Sequence, residues 1–327
     1  MKLGVFNPVL NNQTFEEACA YLERHGVQMI EIGCGGFPGK DHCDPKVLLN
    51  DEAKFQEFKD TIERHHLTIS GFSCHGNPIH PNKETAKKFD DDLTDAILLC
   101  EKMGISILNT FSGCPGSDEA AQKPNWVTCS WPEDYSEILE WQWEKVLIPY
   151  WKEKVAFAKA HGVDKIALEL HPGFCVYNTH SLLRLREAVG PEIGANLDPS
   201  HLFWQQMDPI EVVRVLGQEK AIFHFHAKDT QINEYMCRIN GVLDTTYYGD
   251  TLQRSWFFRS IGYGHDVGYW KKLISELRMV GYDHVISIEH EDGLMSQNEG
   301  LVKSIEALKE IIIFENPGEM YLSLIHI

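Results

Sequence analysis

The feature that most constrains this chain is an alternation of strand-like and helix-like segments repeated eight times along 327 residues. Short runs rich in β-branched and aromatic residues read as strands at 3–6, 29–32, 67–72, 105–111, 165–170, 193–197, 222–226 and 284–288. Each is followed by a segment with helical spacing of its apolar residues, at 15–24, 55–65, 83–103, 135–161, 181–189, 209–216, 269–280 and 301–312. A helix between two strands makes those strands parallel neighbours. Eight such units close most economically as a (β/α)8 barrel, with an open doubly wound sheet as the alternative. No low-complexity linker divides the chain, so residues 1–315 are read as one barrel domain. Two connections are long, 112–134 after the fourth strand and 230–265 after the seventh. Both follow strands, so both are expected over the C-terminal face of the barrel, where active sites sit.

Hydrophobic residues make up 43% of the chain, ample for a packed core, yet no apolar run approaches the length of a membrane span. The chain opens directly on the strand-like Lys2-Leu3-Gly4-Val5-Phe6 and shows no signal-peptide pattern. Nine cysteines, scattered and without a C-x-x-C pair, read as reduced thiols of a cytoplasmic protein. A net charge of −18 argues against binding a phosphate backbone, so neither nucleic acid nor a membrane is an expected partner. Residues 316–327 are read as a tail. Its end, Leu322-Ser323-Leu324-Ile325-His326-Ile327, resembles a translated sequencing adapter and is expected to be non-native.

Chemistry gathers at the ends of the later strands. In Asn196-Leu197-Asp198-Pro199-Ser200-His201, Pro199 lacks an N–H and stops the strand, leaving Asp198 at its C-terminal end with His201 three residues on. A strand-end Asp can cap a helix as readily as it can bind a metal. In Ala167-Leu168-Glu169-Leu170-His171, Glu169 and His171 share one face. His224, His226 and Lys228 do the same on the seventh strand, as do Ser287, Glu289 and Glu291 on the eighth. Glu169, Asp198, His226 and Glu289 thus recur about one unit apart, with a longer gap across the 230–265 insertion. Three carboxylates and an imidazole at one barrel mouth form an O/N donor set suited to Mn²⁺, Mg²⁺, Co²⁺ or a catalytic Zn²⁺. Weaker candidates follow. His75, Asn77 and His80 follow the third strand, as turn formers or ligand contacts. Glu31 could bind substrate hydroxyls or cap a helix. Trp126, Trp131, Trp141 and Trp143 are candidates for a hydrophobic wall, and Arg259 for an anion or hydroxyl clamp. No Gly-rich helix start follows the seventh strand, so an unphosphorylated substrate is preferred.

Several of these stretches resemble a known family: Ser73-Cys74-His75-Gly76-Asn77-Pro78-Ile79-His80-Pro81, Phe111-Ser112-Gly113-Cys114-Pro115-Gly116, Glu169-Leu170-His171-Pro172-Gly173, Asn196 to His201, His224-Phe225-His226-Ala227-Lys228-Asp229 and Ser287-Ile288-Glu289-His290-Glu291-Asp292. Together they resemble the xylose-isomerase-like TIM-barrel superfamily, which groups sugar isomerases and epimerases with endonuclease IV. The resemblance implies that Glu169, Asp198, His226 and Glu289 bind one divalent cation, Mn²⁺ first among the candidates. His226 is preferred to His224 because it lies nearer the mouth. It further implies Glu169 and Glu289 as an acid/base pair, with His201 on a substrate oxygen. The expected activity is epimerisation or isomerisation of a sugar, keto-sugar or cyclitol through an enediolate. A lyase or deglycosidase acting on 3-keto-glycosides is the alternative on the same residues. An endonuclease would need a further histidine on the fourth strand, where Asn109-Thr110-Phe111 stands, and a basic groove. A non-enzymatic sugar-binding protein would need no metal. Beyond a carbohydrate substrate, the expected partners are a second copy of the chain or a small second subunit.

Overall fold

The computed structural model describes residues 1–318. Eight parallel strands close into a barrel: β1 (Lys2–Phe6), β2 (Met29–Gly36), β3 (Thr68–His75), β4 (Ile107–Thr110), β5 (Lys165–Glu169), β6 (Ile193–Leu197), β7 (Ile222–Ala227) and β10 (Val285–Ile288). β1 pairs with β2 on one side and with β10 on the other, which rules out the open sheet. A separate antiparallel pair, β8 (Asp229–Ile232) and β9 (Trp256–Arg259), stands between β7 and the last helical unit. The helices are α1 (Phe15–Arg24), α2 (Pro45–Asn50), α3 (Glu52–Arg64), α4 (Lys83–Met103), α5 (Glu133–Trp141), α6 (Ile148–Ala160), α7 (Thr179–Val189), α8 (Pro199–Phe203), α9 (Pro209–Gln218), α10 (Glu234–Asn240), α11 (Val267–Met279) and α12 (Gln297–Ile311). No helix among the described residues is long and apolar enough to cross a membrane. The adapter-like stretch 322–327 lies outside the described residues.

Period-two alternation sorts the strand residues into two layers. Leu3, Val5, Ile30, Ile32, Phe72, Leu108, Leu168, Leu197, Phe225, Ile286 and Ile288 belong to the apolar core beneath the helices. Their neighbours Glu31, Ser73, Asn109, Asn196, His224, His226 and Ser287 are buried and hydrogen-bonded to one another inside the barrel. The barrel interior is therefore polar, and its upper end carries the candidate site.

Three local readings are corrected. The second strand, read as 29–32, continues to Gly36, with register irregularities against β3. Gly36 has φ +66°, and a Cβ there would lie 1.9 Å from the His75 carbonyl oxygen, so glycine is required by both conformation and space. The helix expected over 135–161 is wound as α5, a π-helical turn at Gln142–Leu147, and α6. Pro149 at the start of α6 has no N–H to give to the preceding turn, and the wider winding accommodates that gap. The 230–265 segment, expected to be irregular, holds the β8–β9 ladder and α10. Its two strands are far apart in sequence, so no local turn pattern announced their pairing.

Candidate metal and substrate site

Asp198 sits where β6 gives way to α8 and performs the first of the two tasks its position allowed, the helix cap. Oδ1 accepts from the Ser200 backbone N–H at 2.8 Å and caps α8. Oδ2 is buried without a well-formed hydrogen bond and faces the barrel mouth. Glu169, at the end of β5, turns Oε1 toward His201 Nε2 at 3.2 Å and Oε2 toward His75 Nε2 at 3.1 Å. His226 Nδ1 lies 3.1 Å from Glu289 Oε2 and 3.6 Å from Glu169 Oε2. One donor atom from each of Glu169, Asp198, His226 and Glu289 falls within 4.8 Å of the others.

Below this cluster, Glu31 anchors the interior. It accepts from Ser73 Oγ at 2.5 Å, Ser287 Oγ at 2.6 Å, Asn109 Nδ2 at 3.0 Å and His226 Nε2 at 2.9 Å. Glu31 is therefore neither a helix cap nor a contact for substrate hydroxyls, as the sequence suggested. Fully buried, it fixes the ring of His226 so that Nδ1 points up to the mouth. A carboxylate behind an imidazole is the usual support for a metal-ligating histidine. His224 lies deeper, with Nδ1 at 3.0 Å from Asn196 Oδ1 and Nε2 at 3.1 Å from Ser70 Oγ, away from the mouth. A second grouping of donors, Glu31, His224 and His226, shares this buried floor, where Ser, Asn and His partners already occupy the donor atoms.

Charge at the mouth is not left unbalanced. Lys228 Nζ lies 2.6 Å from Glu289, 2.9 Å from Glu291 and 3.1 Å from Asp198. The inward face shared by His226 and Lys228 thus brings an ammonium in among the converging carboxylates. Burial disfavours the ammonium, but the surrounding carboxylates hold the Lys228 pKa well above its ordinary value. Burial likewise opposes charge on His226, and Glu31 and Glu289 reverse it, so the imidazole is protonated when no cation is present. Burial would raise Glu289, yet Lys228 and His226 bring it down to about 2. Burial would also raise Glu169, and the facing His201 and His75 hold it well below the usual carboxylate range. Asp198 goes the other way, raised by burial despite Lys228.

These residues fit a divalent cation. The donor set is mixed carboxylate and imidazole, the His226 ring is pre-aimed, and Asp198 Oδ2 is buried with only the Lys228 ammonium, 3.1 Å away and off hydrogen-bonding geometry, to balance it. Two further orphan atoms, His75 Nε2 and His201 Nε2, point at the same space, close to Glu169 but off hydrogen-bonding geometry. A cavity of about 320 Å³ opens beside His171 and His201, walled by Trp126, Trp204, Tyr248 and Trp256.

Residues 19–311 match the family model described as the xylose isomerase-like TIM barrel. The chain belongs to that family. YfiH of Bacillus subtilis (strain 168), an uncharacterized protein, is 39% identical over 315 residues, covering 95% of this chain and 99% of YfiH. Among solved structures, the IolI protein with a bound zinc atom superposes with TM-score 0.65 at 18% identity, over 95% of this chain and 98% of that one. The probable 3-DHS dehydratase AsbF of Bacillus anthracis gives 0.64 at 18%, covering 94% and 99%. D-allulose 3-epimerase from Methylomonas sp. gives 0.58 at 16%, covering 95% and 98%.

In this xylose isomerase-like barrel the insertion after β7 differs from its sequence reading. Arg259 does not face the cation cluster: Nε donates to Asp292 Oδ2 at 3.1 Å and Nη1 to Gln231 Oε1 at 2.6 Å. Its neighbour Phe258 points the other way, 5.3 Å edge-on to His201 and 4.6 Å below the Lys228 ammonium. Alternation along β9 sends the two side chains to opposite sides, a signal that could be used only once 256–259 was known to be a strand. Of the four tryptophans proposed as a wall, Trp126 reaches the cavity. Trp131 is exposed, Trp141 lines a different groove, and Trp143 is buried under Arg184. Trp204 and Trp256, stacked at 4.5 Å, take their place. Asn109, where an endonuclease would need a histidine, donates to Glu31 and Ser73 in the interior.

Proposed function

We propose that this protein is a divalent-metal-dependent enzyme that moves a proton next to a carbonyl in an unphosphorylated polyhydroxy substrate, as a sugar, keto-sugar or cyclitol epimerase or isomerase. The observation that carries the reading is that Glu169 and Glu289 both lie within 3.6 Å of His226 Nδ1, with a donor atom of Asp198 within 4.8 Å, and that His201, 3.2 Å from Glu169, lines an aromatic-walled cavity. Glu169, Asp198, His226 and Glu289 would hold the cation, Mn²⁺ first among the candidates. When bound, it supplies Lewis acidity that makes the hydrogen next to a carbonyl easier to remove. Glu169 and Glu289 are both ionised at neutral pH, so either can take that proton, and the other, once it has drawn a proton from solvent, can return one to the opposite face. His75 and His201 place their Nε2 atoms 3.1 and 3.2 Å from Glu169, off hydrogen-bonding geometry, where they can turn to substrate oxygens. Trp204, Trp256 and Tyr248 supply flat apolar faces for a sugar ring and exclude water from one side of it. Likeness to D-allulose 3-epimerase supports this reading.

Elimination is the second reading, favoured by one observation. The Lys228 ammonium stands 2.6 Å from Glu289, where it could protonate an oxygen leaving from the carbon β to the carbonyl. Likeness to a dehydratase agrees with it. The test is incubation in heavy water with Mn²⁺ and a panel of free ketoses, cyclitol ketones and 3-keto-glycosides. Deuterium at the carbon next to the carbonyl, lost in Glu289→Gln, is expected. Release of water or an aglycone selects the lyase. Conversion without any deuterium removes the proton-transfer roles of both glutamates.

A further inference from the structure

The insertion after β7 presents apolar side chains that nothing among the described residues covers. Tyr235 is 72% exposed, Ile239 60%, Leu243 64%, Tyr247 81% and Leu252 81%, all within a stretch of eighteen residues of the insertion. Contiguous exposed apolar patches on soluble proteins mark interaction surfaces. The patch is not a loose loop. Asp229, buried at the root of β8, accepts from the backbone N–H groups of Gly262, Gly264 and His265, from His265 Nδ1 and from Trp270 Nε1. That anchor and the β8–β9 ladder fix the insertion's base to the barrel.

Helix α10 shows what kind of partner the surface fits. It has no buried residue, and its exposed face is Glu234, Tyr235, Arg238 and Ile239. Met236 and Cys237, on the other side, are half-buried. Glu234 and Arg238 form an exposed ion pair at 2.5 Å, beside the two apolar side chains. A two-fold axis that laid this helix antiparallel on a copy of itself would set Glu234 against the partner's Arg238, and Tyr235 against the partner's Ile239. The face is thus complementary to itself in both charge and apolarity, as an isologous interface requires. The surrounding charge points the same way. Glu234, Asp244 and Asp250 balance Arg238, Arg254 and Arg259 across 230–265, in a chain of net charge −18. Copies repel one another over most of their surface and least here.

We infer that the α10 face is the contact through which a second copy of this chain docks, forming a two-fold dimer. The same insertion supplies Leu243, Asp244 and Tyr248 to the wall of the cavity beside His201.

Sedimentation velocity of the full chain across a concentration series tests this. The wild type sediments as a dimer at tens of micromolar. Ile239→Glu and Tyr235→Glu each weaken association by about thirtyfold or more, the effect of losing one interface hot spot. Their circular dichroism and melting stay those of the wild type, because neither side chain packs inside the chain. Glu234→Arg and Arg238→Glu each weaken the dimer by setting like charges opposite one another, and the double exchange restores it. A monomeric wild type, a dimer indifferent to Ile239→Glu, or a double exchange no better than the single ones would overturn the assignment.

Discussion

Replacing Glu31 with Gln exchanges one carboxylate oxygen for an amide nitrogen at the centre of the barrel interior. Glu31 accepts from two serine hydroxyls, one asparagine amide and the His226 ring, and it is fully buried. The new NH₂ would face groups that already donate, and His226 would lose the charge that holds its ring protonated and aimed. Removing one partner of a buried ion pair costs about 3–5 kcal/mol. Removing the outer partner of a metal-ligating histidine costs about 10–100-fold in metal affinity. Glu31→Gln should therefore lower the unfolding free energy of metal-free protein by an amount in the first range and weaken Mn²⁺ or Zn²⁺ binding by the second. Competition with a fluorescent chelator reads the affinity, and urea denaturation with and without the cation reads the stability. A substrate contact would behave differently, raising KM with affinity and stability untouched. Wild-type metal affinity together with wild-type stability in Glu31→Gln would refute the orienting role.

Glu169→Gln and Asp198→Asn should each lose more metal affinity than the about 10–100-fold expected of an outer partner, whereas His224→Ala should keep most of its metal and lose stability. Metal analysis of purified variants decides the matter, and full occupancy in the first two removes the four-donor site. Phe258→Ala should raise KM several-fold at unchanged metal content. Arg259→Ala should lower the melting temperature by breaking the link to Asp292, with little direct effect on KM; the reverse pattern would return Arg259 to the substrate. His201 and His224 are held neutral by burial, with pKa values lowered to about 3. Their contribution to stability is whole above pH 6.5 and shrinks as pH falls toward 3, because the unfolded chain binds protons that the folded one refuses. Metal-free protein should lose up to about 1.4 kcal/mol per pH unit for each histidine in that window. A flat stability curve from pH 6.5 to 4 would contradict the burial of both rings.

What the sequence determined by itself is what repeats locally. Strand and helix periods specify the eight units, and a proline after Asp198 marks a strand end without any tertiary information. Alternation within 167–171, 224–228 and 287–291 places Glu169, His226 and Glu289 on the inward face, and the same rule puts Leu168, Phe225 and Ile288 under the helices. Each of these readings rests on residues close together in the sequence, so the chain's own stereochemistry sufficed.

Only the tertiary structure decided which groups meet across the barrel. Glu31 on β2 and His226 on β7 are 195 residues apart, and their contact puts a residue read as a substrate ligand behind the imidazole proposed to hold the metal. Lys228 was visible as an inward residue, but its place among Asp198, Glu289 and Glu291 depends on how three strand ends converge. The pairing of β8 with β9 joins the two ends of a long insertion, and that pairing turns Phe258 toward the cavity and Arg259 away from it. Local periodicity fixes the side of an element on which a residue lies. It carries no term for the closure of the barrel, and closure alone selects the partner on the other side.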